Sequence, residues 1–252
     1  MYAFISDIHG NTGALDAVFE DIRKRGVQKV FCLGDVIGYG PEPRECLETV
    51  MEKCEVCLLG NHEHGSMYYA SDFNPKARAA IEWTKDQLNS KDFPRDANFI
   101  LWNYISEMPE SHRVGEILLV HGSPRDPVRE YLLPNDAKDE AKMTGCFAKM
   151  EDARICFVGH SHVPGLYVEG EGFRAPSAVE GGYQLLDKKA MVNIGSVGQP
   201  RDGDVRASYV TFDPETRIVE FHRCQYDVEA TMTKVRQTEL PEYLADRLGV
   251  GR

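Results

Sequence analysis

The feature that most restricts the fold is an alternation near the start of the chain. Three short apolar runs, residues 2–6 (YAFIS), 29–33 (KVFCL) and 56–59 (VCLL), are separated by two stretches of helical periodicity. In the first of these, residues 14–25, the apolar stripe is Leu15, Val18, Phe19 and Ile22, and Gly26 stops it. In the second, residues 43–54, Cys46, Leu47 and Val50 share a face. Strand, helix, strand, helix, strand implies right-handed crossovers and a parallel or mixed sheet. Ligands of such sheets collect at the C-terminal ends of the strands.

Polar groups stand at those ends. The 29–33 run leads into Leu33-Gly34-Asp35-Val36-Ile37-Gly38-Tyr39-Gly40, a carboxylate inside a glycine-rich loop. Taken alone, Asp35 reads as a turn or helix cap. Four further runs follow the same pattern: 2–6 ends at Asp7 and His9, 56–59 at Asn61 and His62, 116–120 (EILLV) at His121, and 154–158 (RICFV) at His160 and His162. Carboxylate, carboxamide and imidazole together suit first-row ions such as Mn, Fe, Zn, Co or Ni better than Ca. These donors exceed what one ion with open positions needs. Two ions sharing one bridging carboxylate accommodate them, an arrangement suited to phosphoryl displacement. A lone histidine at a strand end is a structural residue by default, and His64, His112 and His222 are read that way.

Between residues 64 and 113 the rhythm breaks. Tyr68, Tyr69, Phe73, Ile81, Trp83, Leu88, Phe93, Phe99 and Trp102 lie in helix-like stretches without a convincing strand, predicting a helical insertion or cap. Most of these aromatics are expected to pack the insertion onto the sheet, with Tyr68, Tyr69 and Phe73 the candidates for stacking on substrate. A helix is predicted over 136–150. Short runs at 165–169, 172–174, 184–186, 190–194, 208–213 and 218–224 predict an antiparallel second half, and 228–248 a helix broken at Pro241. With no repeat or linker, residues 1–252 read as one domain.

The charge balance, 29 Lys and Arg against 40 Asp and Glu for a net −11, argues against a broad nucleic-acid-binding surface. A small anionic substrate remains compatible if metal ions supply positive charge locally. No run is long enough to span a membrane, and a cytoplasmic location is expected. The seven cysteines follow no secreted framework; Cys54 and Cys57 form a lone C-x-x-C and are read as reduced and buried. Oligomeric state is left open.

Taken together, Asp7-Ile8-His9, Gly34-Asp35, Gly60-Asn61-His62-Glu63, His121-Gly122 and Gly159-His160-Ser161-His162 resemble, in order, the five motifs of the calcineurin-like metallophosphoesterases. The resemblance covers nearly the whole chain and implies an α/β fold, a four-layer α/β/β/α sandwich of two mixed sheets flanked by helices. It implies one metal held by Asp7, His9, Asp35 and His162, and a second by Asp35, Asn61, His121 and His160. Mn or Fe is favoured. Asp35 would bridge with one oxygen to each ion, a shared hydroxide would attack phosphorus in line, and His62 would stand near the leaving-group oxygen.

The loop after Asp35 lacks the Asp-Arg-Gly of the Ser/Thr protein phosphatase branch, and it lacks the Gly-Lys-Ser/Thr ending of a nucleotide-binding P-loop. Gly38-Tyr39-Gly40-Pro41, Gly122-Ser123-Pro124-Arg125-Asp126 and residues 193–202 (NIGSVGQPRD) instead resemble small prokaryotic phosphodiesterases and asymmetric diadenosine tetraphosphate hydrolases, with Ile194 where proline is common. The implied substrate is a small phosphodiester, phosphomonoester or nucleotide. Arg125 and Arg201 are candidates for a substrate phosphate, the alternative being surface pairing with Asp126 and Asp202. Tyr39 either stacks on a base or fills the wall of the site. A catalytically silent protein-binding scaffold is the other class on this fold, and retention of the full donor set argues against it.

Overall fold

The computed structural model describes residues 1–70 and 73–252; Ser71 and Asp72, inside the predicted helical insertion, lie outside the described residues. In chain order the first elements are β1 (Tyr2–Ile5), α1 (Thr12–Lys24), β2 (Lys29–Cys32), α2 (Pro43–Lys53), β3 (Val56–Cys57) and α3 (Asn61–Met67). Then come α4 (Pro75–Leu88), α5 (Arg95–Ser106), β4 (Ser111–Val114), β5 (Ile117–Val120), α6 (Glu140–Lys149) and β6 (Ile155–Val158). The last third holds β7 (Gly165–Val168), β8 (Gly172–Arg174), β9 (Tyr183–Gln184), β10 (Ala190–Asn193), β11 (Ala207–Asp213), β12 (Ile218–Cys224), α7 (Val228–Arg236) and α8 (Tyr243–Leu248).

The strands form two six-stranded mixed sheets, β3-β2-β1-β11-β12-β9 and β4-β5-β6-β10-β7-β8. Strands β1, β2 and β3 run parallel, as do β5, β6 and β10. Period-two alternation divides the apolar side chains between two cores. From β1, Phe4 enters the core between the sheets, while Ala3 and Ile5 face the layer containing Leu15, Val18, Leu47 and Val50 of α1 and α2. From β6, Ile155 and Phe157 enter the shared core, while Cys156 and Val158 meet Cys146 and Phe147 of α6. Both faces of these strands are therefore covered, which is why they read as unbroken apolar runs. Helices α4, α7 and α8 pack together through Ala80, Met232, Val235, Leu244 and Leu248, with Tyr39 against them.

Several expectations need correction. Residues 64–113 contain a strand after all: β4 is an edge strand paired antiparallel with β5 through a turn at Gly115 (φ 58°). Its sequence, Ser-His-Arg-Val, alternates exposed and half-buried positions and is held by the backbone of β5 rather than by apolar burial. The second half is not wholly antiparallel. After β6 the chain makes the β7–β8 hairpin and returns as β10 between β6 and β7, parallel to β6. The helix expected over 136–150 starts at Glu140, after a separate 3-10 segment at Pro134–Lys138, and β9 falls at 183–184 rather than 184–186. Among the described residues, no helix is long and apolar enough to cross a membrane.

Between the two sheets Phe4 of β1 stacks on Phe157 of β6, with ring centroids 3.8 Å apart and both side chains fully buried. These two strands carry Asp7 and His9, and His160 and His162, so the stack aligns two halves of the candidate site. Phe157→Ala is expected to cost about 3–5 kcal/mol of stability in urea unfolding, the range for a truncated core aromatic. A loss below about 1 kcal/mol would mean that the stack does not hold the sheets together.

Candidate metal centre

The predicted donors arrive together at the edge where both sheets present the C-terminal ends of their parallel strands. Asp7 and His9 follow β1, Asp35 follows β2, Asn61 and His62 open α3 after β3, His121 follows β5, and His160 and His162 follow β6. Bringing them inward requires an unusual backbone. Of eight non-glycine described residues with positive φ, six are Asp7, His9, Asp35, Tyr39, His160 and His162. Conformations of this kind cost on the order of 1–3 kcal/mol each and persist where surrounding structure enforces them. Here the enforcement is a set of backbone hydrogen bonds: Asp7 N–H to Gly34, His9 N–H to Asp35, and Gly198 N–H to Asp7.

Two groups of side-chain donors share Asp35. In one, His162 Nε2 lies 3.1 Å from Asp7 Oδ1 and 3.2 Å from His9 Nε2, which is 3.8 Å from Asp35 Oδ2. In the other, His121 Nε2 lies 3.4 Å from Asp35 Oδ2, 3.1 Å from Asn61 Oδ1 and 3.1 Å from His160 Nδ1. Asp35 Oδ2 faces both groups. Its other oxygen, Oδ1, accepts a hydrogen bond of 2.9 Å from the His62 amide. The backbone at the start of α3 thus engages Oδ1, and Oδ2 is the oxygen that faces both groups.

Each of the four imidazoles is oriented through its other nitrogen. His9 Nδ1 donates to Ile37 O (3.0 Å), His121 Nδ1 to Leu33 O (2.9 Å), His162 Nδ1 to Gln199 O (2.6 Å) and His160 Nε2 to Arg129 O (3.1 Å). A carbonyl only accepts, so these contacts place a proton on the outer nitrogen of each ring, and where the ring is neutral the inward nitrogen carries a lone pair. On His9 and His162 the inward lone pairs then meet each other and Asp7 with no hydrogen between them. Buried Asp7 Oδ1 has no hydrogen-bond partner at all. A cation between these acceptors resolves the conflict, and the donor set fits divalent metal.

Electrostatics agree with that reading. Burial drives the pKa of His9 well below its usual value, that of His160 to about 3 and that of His62 to about 4, keeping these rings neutral. Burial opposes ionisation of Asp7 and Asp35 too, but His162 beside the first and His121 beside the second hold both below the ordinary carboxylate range. His121 is the exception among the imidazoles. Burial works against its charge, yet Asp35 outweighs it and raises the pKa to about 9.

Glu63 is a site residue for which sequence reasoning assigned no role. Fully buried, it accepts backbone N–H groups from Asp35 (2.8 Å), Val36 (2.9 Å), Ile37 (3.1 Å) and Gly60 (3.1 Å), clamping the Asp35 loop to the start of α3. Burial beside the Asp35 charge pushes its pKa up to about 7, while four donors around two oxygens leave no comfortable place for a proton. Its position as the third residue of a helix was the available signal.

His62 is packed between Tyr39 and Phe73, with ring centroids 4.4 and 5.3 Å away. Its Nδ1 is buried without a partner beneath Gly38, where φ is 84° and a side chain would collide with the ring. The two arginine candidates separate. Arg125 is committed to Glu130, with Nε 3.1 Å from Oε2. Arg201 hydrogen-bonds Gln199 Oε1 at 2.9 Å and stands 5.9 Å from the Tyr39 ring; among the described residues no carboxylate pairs with it. Asp202, its expected alternative partner, binds Arg223. A cleft of 210 Å³ opens above Asn61 and His160, and Tyr39, Phe73, Tyr69 and Tyr131 line it. Tyr68 packs against His64 instead. His222 is structural, its Nε2 2.7 Å from Thr211 Oγ1.

Two facing mixed sheets with uncompensated acceptors gathered at their strand ends define a metal-binding α/β sandwich. The chain belongs to the calcineurin-like phosphoesterase family, whose model matches residues 2–164. It is 36% identical over 259 residues to the uncharacterized protein MJ0912 of Methanocaldococcus jannaschii, covering 100% of this chain and 98% of that one. It is also similar to a metallophosphoesterase from Sphaerobacter thermophilus, with 36% identity, a TM-score of 0.83, and coverage of 100% and 98%. The hypothetical protein PH1004 of Pyrococcus horikoshii shares the fold at 20% identity and a TM-score of 0.75, with coverage of 100% and 99%.

The His121 proton makes the metal-free state distinguishable. Its folded pKa of about 9 exceeds the ordinary 6.5, so its contribution to stability is complete below pH 6.5 and is lost as pH rises through about 9. After EDTA treatment the melting temperature is expected to fall across that window, and Mn²⁺, which replaces the proton, should raise the midpoint and flatten the slope. Identical pH slopes with and without metal would contradict this account.

Proposed function

We propose that the protein is a dinuclear-metal phosphoesterase that hydrolyses a small phosphodiester, phosphomonoester or nucleotide. The observation that carries this reading is Asp35 Oδ2, which faces His9 on one side and His121 on the other and is the one acceptor common to both groups. Asp7, His9, Asp35 and His162 would hold one ion, and Asp35, Asn61, His121 and His160 the second, with Mn or Fe favoured by the mixed nitrogen and oxygen donors. Bound there, such ions supply Lewis-acid charge for the phosphoryl oxygens and acidify water.

The chain's own groups then have distinct tasks. Glu63 fixes the Asp35 loop, so the shared oxygen is set before substrate enters. His62 stays neutral at physiological pH, because burial holds its pKa at about 4, and Nε2 is the nitrogen left to meet a substrate. It therefore serves the leaving-group oxygen as a neutral hydrogen-bond donor rather than as an imidazolium. Arg201, with Gln199 holding its fork, offers a guanidinium to a non-bridging or distal phosphate oxygen. Arg125 has no part in this assignment because Glu130 engages it. Diadenosine tetraphosphate falls within the substrate class and belongs in any panel.

Mn²⁺-loaded protein is expected to hydrolyse bis(p-nitrophenyl) phosphate. His62→Ala should lower kcat by roughly 10²–10⁴ with metal content unchanged, whereas Asp35→Asn should lose activity together with metal. Full activity in both variants, or no turnover of any phosphoester by the metal-loaded wild type, would defeat the proposal.

A further inference from the structure

Two guanidinium groups stand near each other beside the centre with no carboxylate to neutralise either. Arg201, in the loop after β10, donates its backbone N–H to His162 O (3.2 Å), so its side chain starts at a candidate ligand of the first ion. Arg247 lies in the last turn of α8, whose Leu244 and Leu248 share an apolar cluster with Tyr39, and Arg201 stands 5.9 Å from that same ring. Loop and helix end are tied directly: Gly203 N–H donates to Gly251 O at 3.0 Å, and Arg252 N–H to Arg247 O at 3.3 Å. Neither arginine lines the cleft over Asn61 and His160.

Each arginine has an aspartate as its chain neighbour, and both aspartates bind elsewhere. Asp202 pairs with Arg223, and Asp246 with Arg236 at 2.9 Å. Asp204, the next acid of the loop, pairs with Arg206 at 2.6 Å. Neutral acceptors hold the two forks instead: Gln199 Oε1 accepts from Arg201 Nη2 at 2.9 Å, and Arg252 O accepts from Arg247 Nε. A cation in the last turn of a helix suits the helix dipole, which accounts for Arg247 Nε. It does not account for the two Nη groups, which make no hydrogen bond among the described residues. In a chain of net charge −11, two half-buried cations left together without a counter-ion are a departure from the prevailing balance. Burial, and after it the Arg201 charge, lower the Arg247 pKa, so the two charges repel. A doubly charged anion between them turns that repulsion into attraction, and two held guanidinium forks match the oxygens of a phosphoryl group.

We propose that Arg247 joins Arg201 in a second anion subsite, which takes a phosphoryl group other than the one undergoing hydrolysis, so that the centre prefers substrates carrying two phosphoryl groups to those carrying one. The proposal rests on the phosphoesterase reading and adds to it a specificity residue on α8, outside the residues 2–164 that the family model matches.

The test titrates phosphonates, whose C–P bonds resist hydrolysis, calorimetrically into the Mn²⁺-loaded protein with Mn²⁺ in excess. Methylene-, ethylene- and propylenediphosphonate grade the separation between the two groups, and each is compared with methyl-, ethyl- or propylphosphonate. At least one diphosphonate should bind about tenfold more tightly than its monophosphonate, and the preference should shrink as ionic strength rises. Arg247→Ala should cut the preference to about twofold or less, whereas Arg247→Lys, which keeps the charge, should retain part of it. No preference in the wild type would overturn the second subsite while leaving hydrolysis of bis(p-nitrophenyl) phosphate, and thus the phosphoesterase reading, intact. A preference undiminished in Arg247→Ala would put the second phosphonate on the metal ions and overturn the assignment. An equal loss of affinity for mono- and diphosphonates in that variant would make Arg247 a structural residue and overturn it as well.

Discussion

The structure depends on one electrostatic conflict: buried acceptors pointed at one another with no hydrogen between them. Four imidazoles spend their outer N–H groups on the carbonyls of Leu33, Ile37, Arg129 and Gln199; the neutral rings of His9, His160 and His162 present lone pairs inward, while His121 keeps a second proton toward Asp35 until a metal replaces it. Buried polar groups without compensation cost on the order of 1–3 kcal/mol apiece. Positive φ at six residues around the site adds to that cost. The fold tolerates this concentration of unfavourable terms because the apolar cores on both faces of the sheets, the Phe4–Phe157 stack and the Glu63 clamp hold the strand ends in place regardless.

Much of this was legible in the sequence, and the reasons differ by element. The ligand-bearing strands were visible because both faces are buried, so their apolar runs are unbroken, and because each run ends in a polar residue of metal-binding type. The edge strand β4 was hidden for the opposite reason, since Ser-His-Arg-Val is held by pairing with β5 and not by burial. Individual atoms were beyond reach. That Asp35 offers Oδ2 to both groups follows from the His62 amide taking Oδ1, a contact set by the start of α3. The partner of Arg125 is Glu130, five residues away on a folded loop, so adjacency along the chain pointed wrongly to Asp126.

The family model ends at residue 164, yet the candidate site does not. The loop after β10 places Gln199 O against His162 and holds the Arg201 fork through Gln199 Oε1. Ser196 Oγ donates to Asp7 O at 2.8 Å, holding the Asp7 backbone from the other sheet. Tyr39, in the glycine-rich loop after β2, joins the packing of α4, α7 and α8 and so connects the C-terminal helices to the wall around His62. The shared motifs thus supply the candidate metal donors, while later segments shape what surrounds them.

The central claim is that Asp35 Oδ2 is shared by two metal ions. Crystals grown with Mn²⁺ and measured at the manganese absorption edge test it directly. The account predicts two anomalous peaks about 3.5–4 Å apart, one among Asp7, His9, Asp35 and His162 and the other among Asp35, Asn61, His121 and His160. A single peak, or two peaks of which only one touches Asp35, would contradict it.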